Sequence, residues 1–419
     1  MSLITSLTRM RLTRSVKPFI FNNEYDNELP FDECDQLGLY VHIPFCRKIC
    51  SFCPYCKQPY DRELCNKYID SLLKEIDLVT ANMRDRPKEV TSLYFGGGTP
   101  ALAGGRLKEI IDALNKHFDI KDGIGLELHP DDIKVANLNL IKNVGVSKIS
   151  IGIQSFQDKY QDILGRKSVD SQLIKDTLSQ VSFETVSMDF IFALPGQTFE
   201  DIKRDIDTAF EIGANHIAIY PFIDFDFTSS KIPAMSKKEK RALLDKVTDY
   251  CESKGYERNS IWTFANTHEA SYSSMTRDNF LGFGCSATTL LKDQFKINTF
   301  SVEAYCKRIS DKQFPTSLTI RFAKRQRMVY YLFWKLYSTR LNPKEFETFF
   351  DASFDKMYGF EFRLAEKLGY LQKEKDGSYK MTHKGAFYYH YYEQYYTLAY
   401  IDKMWGIMKN EAFPEKIEL

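Results

Sequence analysis

The chain reads as an α/β protein built on a parallel sheet, and three observations predict it. Short apolar runs alternate with longer amphipathic stretches from Gly38 to about Phe222, giving about six β-then-α units in succession. A cysteine-rich loop directly follows the first strand, and the glycine-rich run Phe95-Gly96-Gly97-Gly98-Thr99-Pro100 directly follows the second. Repeated β-then-α units place helices outside a parallel sheet, as a barrel or an open sheet, and such sheets bind ligands at the carboxyl ends of their strands.

Leu39–Ile43 is the first strand. The segment 61–80 follows as a helix, because Leu64, Tyr68, Leu72 and Ile76 recur every four residues and Ile69 and Leu73 widen the stripe. Strands are expected at 92–95, 124–128, 148–153, 186–193 and 217–222. Helices are expected near 106–117, 132–143 (stopped near Gly145) and 198–211. Beyond Phe222 the repeat loosens to a strand near Trp262–Ala265 and a glycine-rich stretch at 281–287. A separate helical unit begins near Arg321, with helices at 328–337 and 354–368 and a hairpin at 369–382 turning at Asp376-Gly377. Helix, helix and wing resemble a winged-helix module. The domain reading is an N-terminal arm over 1–36, a barrel and its extension over 37–315, and the helical module over 316–419.

The 419 residues suffice for a large core. A net charge of +1 argues against a protein whose binding is driven by nucleic-acid phosphates. No run of 18 or more apolar residues is present, so no membrane span is expected. Five of the nine cysteines lie between Cys46 and Cys65, which fits metal binding in a reducing, cytoplasmic setting better than a disulfide framework. The first 19 residues carry Arg11, Arg14 and Lys17 without acids, a faint transit-peptide pattern that reads instead as an N-terminal arm.

Cys46, Cys50 and Cys53 have the spacing C-x3-C-x2-C. Three thiolates hold three corners of a [4Fe–4S] cubane and leave one iron open, whereas electron-transfer clusters normally have four cysteine ligands. The natural occupant of an open iron is S-adenosylmethionine, chelated through its amine and carboxylate. Two other readings stand beside this one. Cys56 extends the run, so a closed cluster is possible on spacing, and a zinc site would draw on Cys34 or Cys65, though neither belongs to a pair.

The later strand ends carry polar residues that a core strand does not need: Glu127, Gln154, Asp189 and, after Gly165, Arg166. Singly each reads as a cap or surface residue. Together they form a ring on one barrel face. Asp189 and Gln154 suit ribose hydroxyls, the glycine loop suits an amine, and the Arg166 fork matches a carboxylate.

These residues resemble the radical S-adenosylmethionine superfamily, and within it the oxygen-independent coproporphyrinogen III oxidase-like group. The resemblance rests on 40–46, 95–100, 150–155, 188–196 and 279–287 and covers roughly residues 36–400. It implies a partial (β/α)6 barrel of the TIM type with a smaller helical, winged-helix-like C-terminal domain. It implies that Cys46, Cys50 and Cys53 bind the [4Fe–4S] cluster and that Tyr40, Gly97, Gly98, Thr99, Glu127, Gln154, Arg166 and Asp189 line the S-adenosylmethionine site. Some members use a second S-adenosylmethionine. The implied partners are a tetrapyrrole or similar small molecule and a low-potential electron donor such as flavodoxin or ferredoxin. Decarboxylases of this group carry a fourth cysteine in a Cys-x-Cys arrangement, whereas Cys56 lies three residues beyond Cys53. The expected activity is therefore radical chemistry on a tetrapyrrole, ending in oxidative decarboxylation or methyl transfer. The alternative is a haem carrier that retains the cluster.

Three features are read as structural. His390, in the tyrosine-rich run 388–396, is expected to pack on the barrel rather than ligate haem. His42 is expected to support the strand end beside the cysteine loop. The helix 355–368 alternates charges and does not read as a DNA-recognition helix.

Overall fold

A computed structural model describes residues 10–15, 18–24, 29–83, 86–266, 278–396 and 400–419, with side chains left out at 391–396. Most of the basic arm at 1–19, and the tyrosines at 391, 392, 395 and 396, therefore lie outside the described residues or side chains.

Six strands carry the repeat: β2 (Leu37–Ile43), β3 (Leu93–Gly97), β4 (Ile124–Leu128), β5 (Val146–Gln154), β6 (Thr185–Phe192) and β7 (His216–Pro221). Each pairs in parallel with the next in chain order. Helices α1 (Arg62–Thr80), α2 (Leu107–Asn115), α3 (Val135–Asn143), α4 (Asp158–Ile163), α5 (Ser171–Leu178) and α6 (Phe199–Glu211) connect them. This sequential parallel order is the partial (β/α)6 arrangement. The strands bury nearly every residue, as sheets covered on both faces do. Helix boundaries follow local chemistry. Asp61 accepts the Leu64 N–H at 2.8 Å to start α1, and Thr198 with Asp201 forms a capping box at the start of α6.

The region where the repeat loosens proves to be sheet as well. Beyond β7 lie β9 (Thr263–Ala265) and β8 (Glu257–Arg258). On the other side β10 (Asn279–Phe283) pairs in parallel with β2. An antiparallel meander of β11 (Thr288–Leu291), β12 (Gln294–Asn298) and β13 (Thr316–Arg321) then extends the sheet to fourteen strands. The far edge is β1 (Ile20–Asn22), from the arm, paired with β14 (Lys416–Glu418), near the chain end. Polar residues on these short strands broke the apolar runs that mark a strand in sequence. In the barrel α4 and α5 escaped notice, and beyond it so did α7 (Lys237–Ser253) and α8 (Val302–Ser310).

Helices α9 (Lys324–Tyr337), α10 (Pro343–Phe350) and α11 (Phe354–Lys367), with the hairpin Leu371–Lys373 and Tyr379–Met381, enclose a small core of Met328, Tyr331, Phe346, Phe354, Tyr358 and Tyr379. After α12 (His383–Tyr396), the helix α13 (Asp402–Asn410) returns Met404 and Met408 to the main core. His390 is buried with its ring edge-on to Trp262, centroids 4.4 Å apart, in keeping with a packing role.

Candidate functional site

The two limbs of the cysteine loop are tied to each other at its base. Gln58 N–H donates to Pro44 O at 2.6 Å and Tyr60 N–H to Cys46 O at 2.9 Å. Between them, Lys57 Nζ donates to the carbonyls of Cys50 and Cys53, each at 2.7 Å. Phe52 packs on a satellite cluster of Tyr160, Leu164, Leu194 and Phe222. Cys46, Cys50 and Cys53 are free, half-buried thiols. Burial, and then the Cys53 sulfur, pushes Cys46 up to about 11. Burial pushes Cys50 up as well, against the pull of Arg166. Cys34 and Cys65 are buried outside this loop, Cys34 donating to Pro30 O at 3.5 Å.

The glycine loop packs directly beneath the cysteine loop. Gly98 N–H donates to Ile43 O at 2.8 Å and Thr99 N–H to Phe45 O at 2.7 Å. A Cβ on Gly98 would meet Phe45 O at 2.6 Å, so the two backbones touch and only glycine fits. Gly97 has φ +114°, and its N–H donates to Glu127 Oε2 at 3.0 Å. Glu127 also accepts from Tyr94 Oη at 3.1 Å, and burial raises its carboxyl. The N–H groups of Gly97, Gly98 and Thr99 are thus all spent inside the protein. What the loop has left to offer a ligand is acceptors.

Of the remaining ring residues, Tyr40, Gln154 and Asp189 stand on β2, β5 and β6, and Arg166 lies in the loop after α4. Tyr40 Oη bonds the His42 ring at 3.0 Å, and His42 in turn meets Cys56 O at 3.0 Å, which accounts for His42 as a support. Asp189 accepts from Ser150 Oγ at 2.7 Å, and burial raises it to about 7. Gln154 closes β5 with φ +71°, a left-handed conformation that strains a non-glycine residue, and Ala193 just after β6 repeats it at +65°. Burial lowers Arg166, while Cys50, then Asp131, then Cys53 and Cys46 pull it back up, so it stands near both the thiols and an acid.

Sequence reasoning missed an aromatic wall. Tyr55 and Tyr220 expose 54% and 39% of their surfaces. Yet enclosure by protein drives both phenols up, with Glu127, Asp189 and Tyr337 contributing to each. Trp405 of α13 stands 6.0 Å from Tyr55 and joins Phe227 and Phe300. The C-terminal helices thus reach the cysteine loop. The signal for this wall was the aromatic richness of the chain, which sequence could not assign to a place.

The sequence profile of the Radical SAM superfamily matches residues 40–209. Heme chaperone HemW of Bacillus subtilis (strain 168) is 26% identical over 364 residues, covering 83% of this chain and 95% of the relative. Oxygen-independent coproporphyrinogen III oxidase of Pseudomonas aeruginosa is 24% identical over 308 residues, covering 66% of each. The solved structure of coproporphyrinogen III oxidase (HemN) from Escherichia coli superposes with a TM-score of 0.75 over 93% of this chain and 98% of that one, at 21% identity.

Residues 40–209 carry a Radical SAM domain, and most of the chain is similar to HemN- and HemW-type proteins.

A Radical SAM domain implies a [4Fe–4S] cluster and S-adenosylmethionine. The donor set fits the cluster: three free, half-buried thiols share one loop, whose Cys50 and Cys53 carbonyls the Lys57 ammonium braces. No helix among the described residues is long and apolar enough to cross a membrane.

Proposed function

We propose that this protein is a radical SAM enzyme that starts radical chemistry on a tetrapyrrole or a similar flat, carboxylated substrate, ending in oxidative decarboxylation or methyl transfer. Cys46, Cys50 and Cys53 would hold the cluster, which when reduced by a low-potential donor such as flavodoxin or ferredoxin supplies the electron that cleaves S-adenosylmethionine to a 5′-deoxyadenosyl radical. The observation that carries the reading is the packing of the glycine loop, backbone to backbone, against the loop of the three thiols, with Arg166 near them.

In this reading the residues divide the work by their chemistry. The Arg166 guanidinium, beside the thiols, takes the methionine carboxylate. The glycine loop, its donors spent, presents acceptors to the methionine ammonium, with the Thr99 hydroxyl beside Cys46. Glu127 acts through the loop by holding Gly97 N–H. Asp189 and Gln154 accept from the ribose, and Tyr40 closes the floor. Tyr55, Tyr220, Tyr337 and Trp405 exclude water and stray hydrogen donors from the reacting carbon. The module from about Arg321 would serve as the lid.

A second reading is a haem chaperone, favoured by the match to the Bacillus subtilis Heme chaperone HemW over 95% of its length. The test is anaerobic reconstitution and reduction, then incubation with S-adenosylmethionine and candidate tetrapyrroles, followed by mass spectrometry. Stoichiometric 5′-deoxyadenosine with a substrate mass change supports the enzyme. Stable haem binding without consumption of S-adenosylmethionine supports the chaperone.

A further inference from the structure

Cys56 and Cys285 take no part in the proposed chemistry, yet they meet. Their sulfurs lie 4.0 Å apart although the residues are 229 positions apart in sequence. Cys56 is on the return limb of the cysteine loop, one residue before Lys57, whose ammonium braces the Cys50 and Cys53 carbonyls. Cys285 follows β10. Its position is fixed from both sides: its N–H donates to Tyr68 Oη at 2.9 Å, and Gly284 N–H donates to Glu75 Oε2 at 2.7 Å. Gly284 has φ +98°, and a Cβ there would meet Tyr68 Oη at 2.4 Å, so this turn is held tightly against α1.

The two sulfurs are chemically unequal. The Cys285 thiol, the His42 ring and the Ser286 hydroxyl pull the Cys56 thiol down. Burial and the neighbouring Cys56 sulfur push Cys285 up. Cys56 thus has the character of an attacking thiol and Cys285 that of its resolving partner. In the reduced state Cys56 Sγ also rests 3.1 Å from Phe300 O. His42 completes a buried trio with the two cysteines, all ligand atoms within 4.8 Å. Its ring nitrogens are already engaged by Tyr40 Oη and Cys56 O, which argues against a metal ion there.

We infer that Cys56 and Cys285 are a redox-active dithiol whose disulfide pins the cysteine loop to the turn after β10. A peroxide is the oxidant. The Cys56 sulfur attacks one peroxide oxygen, the O–O bond breaks, and water leaves with a sulfenic acid on Cys56. The Cys285 sulfur then attacks that sulfur, the S–O bond breaks, and a second water leaves. Both thiol protons end in water, and the electron pair has passed to the peroxide. The bond needs a sulfur separation of about 2.05 Å, an approach of roughly 2 Å that side-chain rotation shares with a small shift of the loop. The loop would then stay anchored when oxidant strips the cluster from it.

The test uses the reconstituted full chain exposed to limited hydrogen peroxide, blocked with iodoacetamide, digested and mapped without reductant. The expected product is a peptide pair joining Cys56 to Cys285, lost on adding reductant and absent in Cys56→Ser and in Cys285→Ser. The oxidised wild type should melt at a higher temperature than the reduced protein once iron is removed, and neither variant should show that shift. Linkage of Cys56 to Cys46, Cys50 or Cys53 would overturn the inference. So would Cys56 and Cys285 both remaining alkylatable after those three have oxidised. One zinc per chain, lost in either variant, would instead make the trio a metal site.

Discussion

Gly98→Ala isolates the contact on which the site is built. An added Cβ would lie 2.6 Å from Phe45 O and 2.8 Å from Pro44 C, both backbone atoms that no rotamer change can move aside. Relief requires the end of β3 and the start of the cysteine loop to part. Overpacking of this kind costs about 1–3 kcal/mol. The parting also stretches Gly98 N–Ile43 O and Thr99 N–Phe45 O, now 2.8 and 2.7 Å, each worth about 1 kcal/mol. A loss of roughly 2–4 kcal/mol is expected. Gly105→Ala is the control, because nothing lies within 4 Å of its Cβ and its φ is not left-handed. It should change stability by less than about 0.5 kcal/mol or stabilise slightly. Urea unfolding of the iron-free chain measures both, and iron and sulfide content after reconstitution reports on the loop. Gly98→Ala with wild-type stability and full iron content would refute the argument that the two loops are held backbone to backbone.

The remaining predictions concern the thiols, the ligand and a buried acid. Cys50→Ala should abolish the four-iron spectrum, whereas Cys56→Ala should leave a reducible cluster; retained four-iron content and activity in Cys50→Ala would remove the ligand assignment. Arg166→Ala should weaken S-adenosylmethionine binding by about tenfold to a hundredfold in calorimetry, the range of a charge-assisted contact; unchanged affinity would move the carboxylate elsewhere. Burial raises Glu75 from 4.5 to about 7, although Tyr305 Oη, Gly284 N–H and Asn298 Nδ2 donate to it. The folded state therefore holds a proton that the unfolded state releases. Stability is full below about 4.5 and falls as pH rises through about 7, by up to about 3 kcal/mol from this group. Glu75→Gln should flatten that slope, and pH-stability curves that run parallel in the two proteins would refute the buried-acid account.

The periodicity of α1 and the succession of βα units are local properties, and they were legible in the sequence because each residue's partner lies within a turn or a pleat. So were the spacing of Cys46, Cys50 and Cys53 and the glycine loop. The sheet strands between Asn279 and Arg321 were not legible, because pairing with neighbouring strands, rather than an apolar run of their own, stabilises them, whereas the hairpin turning at Asp376-Gly377 was. The polar ring was legible as residue types at strand ends but not as a division of labour. Only the folded chain sets Glu127 on Gly97 N–H and spends the loop's donors. The aromatic wall, the Glu75 network and the Cys56–Cys285 pair belong wholly to tertiary structure. Each is a side-chain meeting across elements far apart in sequence. Spacing governs which residues share a face, but convergence of separate faces depends on how distant elements pack against one another.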